Sequence, residues 1–573
     1  MAKQWLISAP SPDCEALARR LRVPSVIAQV LINRGLSLDG MVESFLLPQL
    51  KNLHPPQLLP GANEAAARIV DAIRAKTKII LYGDYDVDGT TGVAILWHVL
   101  RQAGAEVSFY VPHRIDEGYG LNLEAVKRLV EDGAGMIVSV DCGITAVDIA
   151  RFLRESGVAL IITDHHAPHA ELPDAAIVHP LVGGANPNPH LSGAGVAFKL
   201  AWAIAQRLSG SERVAPEYRE LLKELLPLAA MGTIADVVPL VGENRIIARH
   251  GLSALPATSL PGVKLLIESA GLSNGKISGY DVGFKLAPRI NAAGRMGHAR
   301  LAVELFTRAD VHRAREIALY LEEHNRSRQA TERQISRQAY EMIEQGNLAS
   351  DARRAIVLAS ADWHAGVIGI VAARVVGRYH RPTVMIALNN GEGQGSARGI
   401  PHFDLADALS SCSRHLIAYG GHAMAAGLRI AADCVEAFTE AFIAEANNRL
   451  TGADLIDKLR LDAEVSLKEL TLPTAEAIVG LGPFGVGNPK PKFASDWLDV
   501  AYEPRCVGAN QDHLQVSFQQ NGTRIKGIGF GLGSAIEDLK QHRRCRVAFE
   551  PIINDFNGRR SVEMQVLDFK FPT

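Results

Sequence analysis

The chain has 573 residues and only six cysteines, Cys14, Cys142, Cys412, Cys434, Cys506 and Cys545, with no C-x-x-C pair and no ligand quartet. That scarcity excludes a disulfide scaffold and a zinc ribbon and fits a reducing compartment. Long apolar runs are also lacking. No stretch reaches the ~18 uninterrupted apolar residues of a membrane span. The opening MAKQWLISAPSPDCEALARR has neither the basic leader nor the cleavage site of a signal peptide, so a soluble cytoplasmic protein is expected. Net charge is missing too: 60 Lys+Arg against 62 Asp+Glu leave −2, so any surface for a polyanion must be local. No G-x-x-x-x-G-K-[ST] loop is present, which argues against nucleoside triphosphate hydrolysis. The G-x-G-x-x-G match at 480–485 follows no strand, and Pro483, Pro489 and Pro491 forbid the helix that a dinucleotide site needs. Repeats and low-complexity tracts are absent.

What is there is a hydrophobic fraction of 47%, enough for several cores, and a clear alternation from about residue 77. Short β-branched runs at 78–83, 106–111, 135–140 and 158–163 alternate with helical patterns starting near Thr90, Asn122 and Thr145. Continuous apolar strands between helices predict an α/β, doubly wound parallel sheet. Residues 1–60 read as a helical lead-in ending at a Pro55/Pro56/Pro60 hinge, and 61–309 as the sheet domain. A Pro-free helix is predicted over 310–346, then a smaller α/β unit over 347–452, the two α/β lobes facing a common cleft.

In 453–573 five strand-like runs, DWLDVAYE, HLQVSF, TRIKGIGF, RCRVAFEP and RSVEMQVLDF, predict a small barrel of the OB type. Between Arg524 and Arg560 there are eight Lys/Arg against four acids, a local basic surface hidden by the whole-chain balance. Trp497, Tyr502, Phe518, Phe530 and Phe549 lie in the barrel, most of them expected in its core.

The chemistry is carried by where the acids fall. Asp84, Asp86 and Asp88 follow the first strand in GDYDVDG, Asp141 follows the third, and Asp164, His165 and His166 follow the fourth. In a doubly wound sheet those strand ends line the ligand crevice. A single such acid is usually a helix cap; the joint pattern is not explained that way. Two carboxylates ~4 Å apart repel by about 4 kcal/mol at an effective dielectric near 20, so the cluster calls for cations. Oxygen and imidazole donors without thiolate favour Mn²⁺ or Mg²⁺ over Zn²⁺. Asp236, in an apolar stretch between Met231 and Leu240, is a further candidate, because a buried unpaired carboxylate is costly.

DYDVDG (84–89), the DCGIT turn from Asp141, DHH (164–166) and GTIAD (232–236) resemble the first four motifs of the DHH phosphoesterases. WHAGVIGIVAAR (363–374), GSAR (395–398) and GGHAMAAG (420–427) resemble the associated DHHA1 domain. With APRINAAGRM (287–296) and GPFGVGNPKP (482–491), the set is similar to the branch of that family that degrades single-stranded DNA from its 5′ end. The resemblance implies two Mn²⁺ or Mg²⁺ ions held by Asp86, Asp88, Asp141, His165 and Asp236, with Asp141 bridging. Many relatives have histidine where this chain has Tyr82, a poor neutral ligand, so either Asp84 substitutes or one ion is held more weakly. The resemblance further implies His166 as a donor to the scissile phosphate and Asp164 as the group that orients the loop and His165. It implies Ser396, Arg398 and Arg114 as a grip on the 5′-phosphate and His422 as a donor to either phosphate. Arg289, Asn291, Arg295 and Trp363 are channel or packing residues, and His364 is expected to be structural. Implied partners are single-stranded DNA with a 5′ end, a single-strand DNA-binding protein and a RecQ-type helicase, while a self-contained active cleft favours a monomer. Rival readings are a small-substrate phosphodiesterase or pyrophosphatase of the same family, and a noncatalytic replication scaffold.

Overall fold

The computed structural model describes residues 3–36, 41–113, 117–118, 120–273, 275–296 and 299–572, without the side chains of 295 and 296. The chain forms two compact units, one of Ile7–His324 with Asp462–Thr573, the other of Asn325–Leu461 with the first residues up to Leu6.

The larger unit is built on a five-stranded sheet in the order Val107–Tyr110, Ile79–Gly83, Met136–Val140, Ala159–Thr163, Ala176–Val178. Every neighbouring pair is parallel. Side chains alternate between two cores, as the strand period of two demands. Ile79, Leu81, Val138 and Ile161 pack with the helices Ala62–Arg74, Val87–Gln102 and Gly193–Ser209. Ile80, Tyr82, Ile137 and Ile162 pack on the other face with Leu123–Glu131 and Val147–Glu155. The first crossover helix begins at Val87, three residues before the expected Thr90, because the Asp86 carboxylate accepts from the N–H groups of Asp88 and Gly89 and caps it there.

The lead-in is helical at Cys14–Leu21, Ser25–Asn33 and Met41–Leu46, but Gln4–Ile7 is a strand that pairs with Lys458–Leu461. The lead-in helices share a core with the C-terminal barrel, where Leu17, Ile27, Leu31 and Phe45 meet Leu514, Phe518 and Phe549. Arg245, fully buried on helix Gly242–Ala254, fastens this assembly to the sheet domain. Its guanidinium stacks 3.8 Å from the Phe45 ring. It donates to the carbonyls of Phe45, Leu481 and Gly482, each at 2.9 Å.

The five expected barrel runs coincide in part or whole with the strands Leu498–Val500, His513–Gln520, Thr523–Gly529, Arg544–Phe556 and Arg559–Lys570. These strands close a ring, since Arg559–Lys570 pairs parallel with Thr523–Gly529 and antiparallel with Arg544–Phe556. Three further strands, Ala463–Val465, Phe493–Ser495 and Arg505–Val507, are too short to show a period. Phe518 and Phe549 fill the barrel; Tyr502 and Phe530 stay exposed.

The smaller unit carries a mixed sheet in the order Ala418–His422, Ala425–Ala431, Glu392–Arg398, Thr383–Asn389, Ile356–Ser360, with only the last pair parallel. The predicted long helix is Val311–Gln345. Among the described residues no helix is long and apolar enough to cross a membrane.

Candidate metal centre

The C-terminal edge of the parallel sheet gathers the motif acids as strand ends should. Asp84, Asp141 and Asp164 each follow a strand by one residue, while Asp86 and Asp88 sit at the start of helix Val87–Gln102. Asp236 caps the C-terminus of helix Pro216–Ala235. Two positions, one in a motif and one beside it, have positive φ. Asp141 has φ +64°, a left-handed conformation that aspartate tolerates better than most residues, and its N–H donates to the Thr163 carbonyl at 2.8 Å. Val237, next to Asp236, also has φ +64°, which a β-branched residue rarely adopts.

Around Nε2 of His165 lie Asp141 Oδ1 at 3.2 Å, Asp236 Oδ2 at 3.5 Å and Asp88 Oδ2 at 3.8 Å. Three sets of donor atoms each fit within 4.8 Å: Asp88, His165 and Asp236; Asp84, Asp86 and Asp141; and Asp141, His165 and His166. Asp141 and His165 each belong to two of these sets. Tyr82 is buried in the core on one face of the sheet, where its hydroxyl donates to the Gly120 carbonyl at 3.3 Å and accepts from the Asn122 N–H at 3.1 Å.

Electrostatics separate the two histidines. Burial holds His165 well below the ordinary imidazole value, at about 4, so it is a neutral nitrogen donor. For His166 burial acts downward, yet the Asp164 carboxylate, 2.7 Å from Nδ1, outweighs it and the net shift is upward. Asp164 is lowered: burial would raise it, but His166 and the Ile144 and His166 N–H groups prevail. Asp164, expected to steady His165, thus holds the His166 ring; from His165 it accepts only the backbone N–H, at 2.7 Å. The other acids shift upward. Burial and then Asp86 push Asp88 up to about 7, and burial with Asp88 and Asp86 pushes Asp236 up to about 8. Asp141 is raised by burial and by Asp88, Asp86 and Asp84. Half-buried Asp236 is less enclosed than its apolar flanks suggest. A neutral imidazole among carboxylates that repel one another in a buried site is a donor set that fits hard divalent cations.

Sequence reasoning passed over the support for Asp88. Helix Gly193–Ser209 aims its N-terminus there, with the Gly193 N–H donating to Oδ2 at 2.5 Å and the Ala194 N–H to Oδ1 at 3.0 Å. A Cβ on Gly193 would stand 2.4 Å from Asp141 Oδ1, so only glycine fits. The S-G-A-G run after Leu191 was the available signal: a cap and small residues opening an apolar helix.

The remaining candidates lie elsewhere. In the smaller unit, Arg398 donates to Ser396 Oγ at 3.1 Å and to the Ala397 carbonyl at 2.7 Å. Gly369 lets helix Ala365–Tyr379 approach both side chains, since a Cβ there would meet Ser396 Oγ at 2.7 Å. His422 ends the exposed strand Ala418–His422. His364 caps a helix by accepting from the Gly366 N–H, and Trp363 is buried and donates to Gln338. In the larger unit Arg289 is paired with Glu322 at 2.7 Å and donates to the Lys285 carbonyl at 2.6 Å. Asn291 accepts the Val87 N–H at 3.1 Å. Arg114 lies outside the described residues, as does the side chain of Arg295.

Known proteins resemble the chain along most of its length. Residues 78–233 match the DHH family, N-terminal domain, residues 353–448 the DHHA1 domain, and residues 461–568 the RecJ OB domain. The single-stranded-DNA-specific exonuclease RecJ of Bacillus subtilis is 38% identical over 570 residues, 99% of this chain and 70% of the relative. Its counterpart in Escherichia coli is 32% identical over 562 residues, 96% of each. This chain belongs to the RecJ family. The crystal structure of RecJ in complex with Mn²⁺ from Thermus thermophilus superposes with TM-score 0.84 at 32% identity, covering all of this chain and 80% of that one. The Mg²⁺ complex from the same source gives 0.78 at 30% identity. The α/β architecture with DHH, DHHA1 and OB domains is therefore the RecJ architecture.

Proposed function

We propose that this chain is a metal-dependent exonuclease that degrades single-stranded DNA from the 5′ end to mononucleotides, in recombination and repair. The observation that carries the reading is the cluster of Asp84, Asp86, Asp88, Asp141 and Asp236 around a neutral His165, in a chain of the RecJ family. These six residues hold Mn²⁺ or Mg²⁺ in this proposal, with Asp141 shared between two ions. Such a pair, when bound, activates a water and neutralises charge on the phosphate being cleaved.

The remaining steps belong to side chains. Asp164 fixes the His166 ring and favours its protonated form, so that His166 can donate to a phosphate oxygen. Ser396 and Arg398 supply a hydroxyl and a planar cation suited to a terminal 5′-phosphate, with Arg114 assigned to the same task and His422 as an additional donor. Arg289 contributes to the strand path when its pair with Glu322 opens. Residues 453–573 are assigned as the strand-holding domain, with Tyr502 and Phe530 available for stacking. A single-strand DNA-binding protein and a RecQ-type helicase are the proposed partners, because this substrate must be unwound and kept open. The ligands of the centre come from one chain, which supports a monomer, and the scarce, unpaired cysteines support the cytoplasm.

The test incubates the protein and Mn²⁺ with 5′-phosphorylated single-stranded DNA, blunt duplex, pyrophosphate and a cyclic dinucleotide. Mononucleotide release from the single strand alone is expected. Hydrolysis of only a small substrate would move the chain to another activity of the DHH phosphoesterases.

A further inference from the structure

Tyr280 and Phe284 are stacked on each other, ring centroids 4.6 Å apart and planes 25° from parallel, yet they are 64% and 68% exposed. They occupy adjacent turns of the helical segment Gly279–Leu286, whose wide-turn part is Val282–Leu286. Large rings left exposed, with no covering residue among the described ones, call for an occupant. Their surroundings narrow the choice. Gly279 and Gly283 flank them, a Cβ at Gly283 would meet nothing within 4 Å, and Lys276 is exposed nearby. The Lys285 ammonium is 2.7 Å from Asp281. The apolar surface is therefore two flat ring faces in a polar, glycine-lined setting. That suits a planar base on a charged backbone better than the apolar centre of a protein interface.

Position points the same way. The helical segment continues into Ala287–Met296, where Asn291 holds the Val87 N–H and Gly294 abuts the Tyr85 carbonyl, both in the DYDVDG motif. At 1.5 Å per helical residue, Phe284 and Tyr280 lie roughly 10 and 16 Å from Asn291, about three to five stacked nucleotides at ~3.4 Å each. On the other side, Gly279 lies against the Phe484 carbonyl, in the loop that leads into the barrel.

We infer that Tyr280 and Phe284 form a base-stacking subsite for single-stranded DNA, between the metal centre and the barrel, engaging the strand about three to five nucleotides from the cleaved end. The inference rests on the exonuclease reading above and adds a place where strand length is sensed.

The test uses a 5′-phosphorylated 20-nucleotide strand carrying 2-aminopurine, or an abasic site, singly at each of nucleotides two to seven, bound to the full chain in EDTA so that it stays intact. The wild type is expected to quench the probe at one or two adjacent positions and to lose about five- to hundredfold affinity when the base there is removed. Tyr280→Ala with Phe284→Ala should abolish both signatures, and Tyr280→Leu with Phe284→Leu, which keeps apolar bulk without rings, should do the same. The swap Tyr280→Phe with Phe284→Tyr should restore them. A leucine variant that retains the position-specific signature, or a wild type that lacks one while binding the strand, overturns the subsite and leaves the rings to a protein partner. Failure of the wild type to release nucleotides from the unmodified strand with Mn²⁺ would instead overturn the exonuclease reading itself.

Discussion

The metal centre and the Arg245 site both bury charge of one sign, and they resolve it differently. Among the described residues Arg245 has no carboxylate partner; its donors end on carbonyls of the lead-in and of the loop before the barrel, and burial lowers its pKa only to about 10. The guanidinium is therefore still charged at neutral pH, satisfied by fixed dipoles. At the metal centre the same remedy reaches only part of the cluster. The Gly193 and Ala194 N–H groups serve Asp88, and still Asp88 and Asp236 are pushed up to about 7 and 8. Backbone dipoles can settle one buried cation. Five converging acids require protons or metal, and that need makes the second site reactive and the first structural.

The largest effect that would sharpen this contrast is at Asp141. Asp141→Ala should lower nucleotide release by at least about a thousandfold, while strand affinity in EDTA stays near wild type; undiminished turnover would remove Asp141 from the centre. The two histidines should then separate. His165→Ala is expected to lower the number of Mn²⁺ ions bound, whereas His166→Ala keeps that number and slows turnover about a hundredfold or more. Equal losses of metal in both variants would break the assignment of one ligand and one donor. Arg245→Met should cost about 3 kcal/mol in chemical denaturation, because several carbonyls lose a buried donor, with Mn²⁺ stoichiometry intact in the folded fraction.

A smaller effect comes from pH. Asp88 and Asp236 keep protons in the fold at pH values where the unfolded chain, near pH 4, has released them. Stability of the metal-free protein due to these groups is thus complete below about pH 4 and is lost as pH rises through about 7 and 8. Melting in EDTA should shift downward between pH 6 and 8, and saturating Mn²⁺ should abolish that shift.

Much of this was legible in the residues. Continuous apolar strands announced the parallel sheet, and a sheet of that kind brings Asp84, Asp141 and Asp164 to one edge whatever the loops do. The barrel followed from runs such as Leu514, Val516 and Phe518, whose alternation is a local property. What could not be read depends on contacts distant in sequence. The Gly193 N–H meets Asp88 105 residues away, and Arg245 meets Phe45 at 200 residues and Leu481 at 236. The lead-in packs on a barrel that begins more than four hundred residues later. The adjacent His165 and His166 look alike in sequence; only burial against carboxylates and the turn that gives Asp164 to His166 set them apart.

The central claim is that the acidic cluster is a two-ion centre, and calorimetric titration of the metal-free chain with Mn²⁺ at pH 7, in two buffers of different ionisation enthalpy, tests it most directly. Two ions per chain are predicted, with protons released on binding because Asp88 and Asp236 must give them up, and with both signals reduced in Asp141→Ala. Absence of Mn²⁺ binding, or binding that releases no protons and is unchanged in Asp141→Ala, would contradict the account.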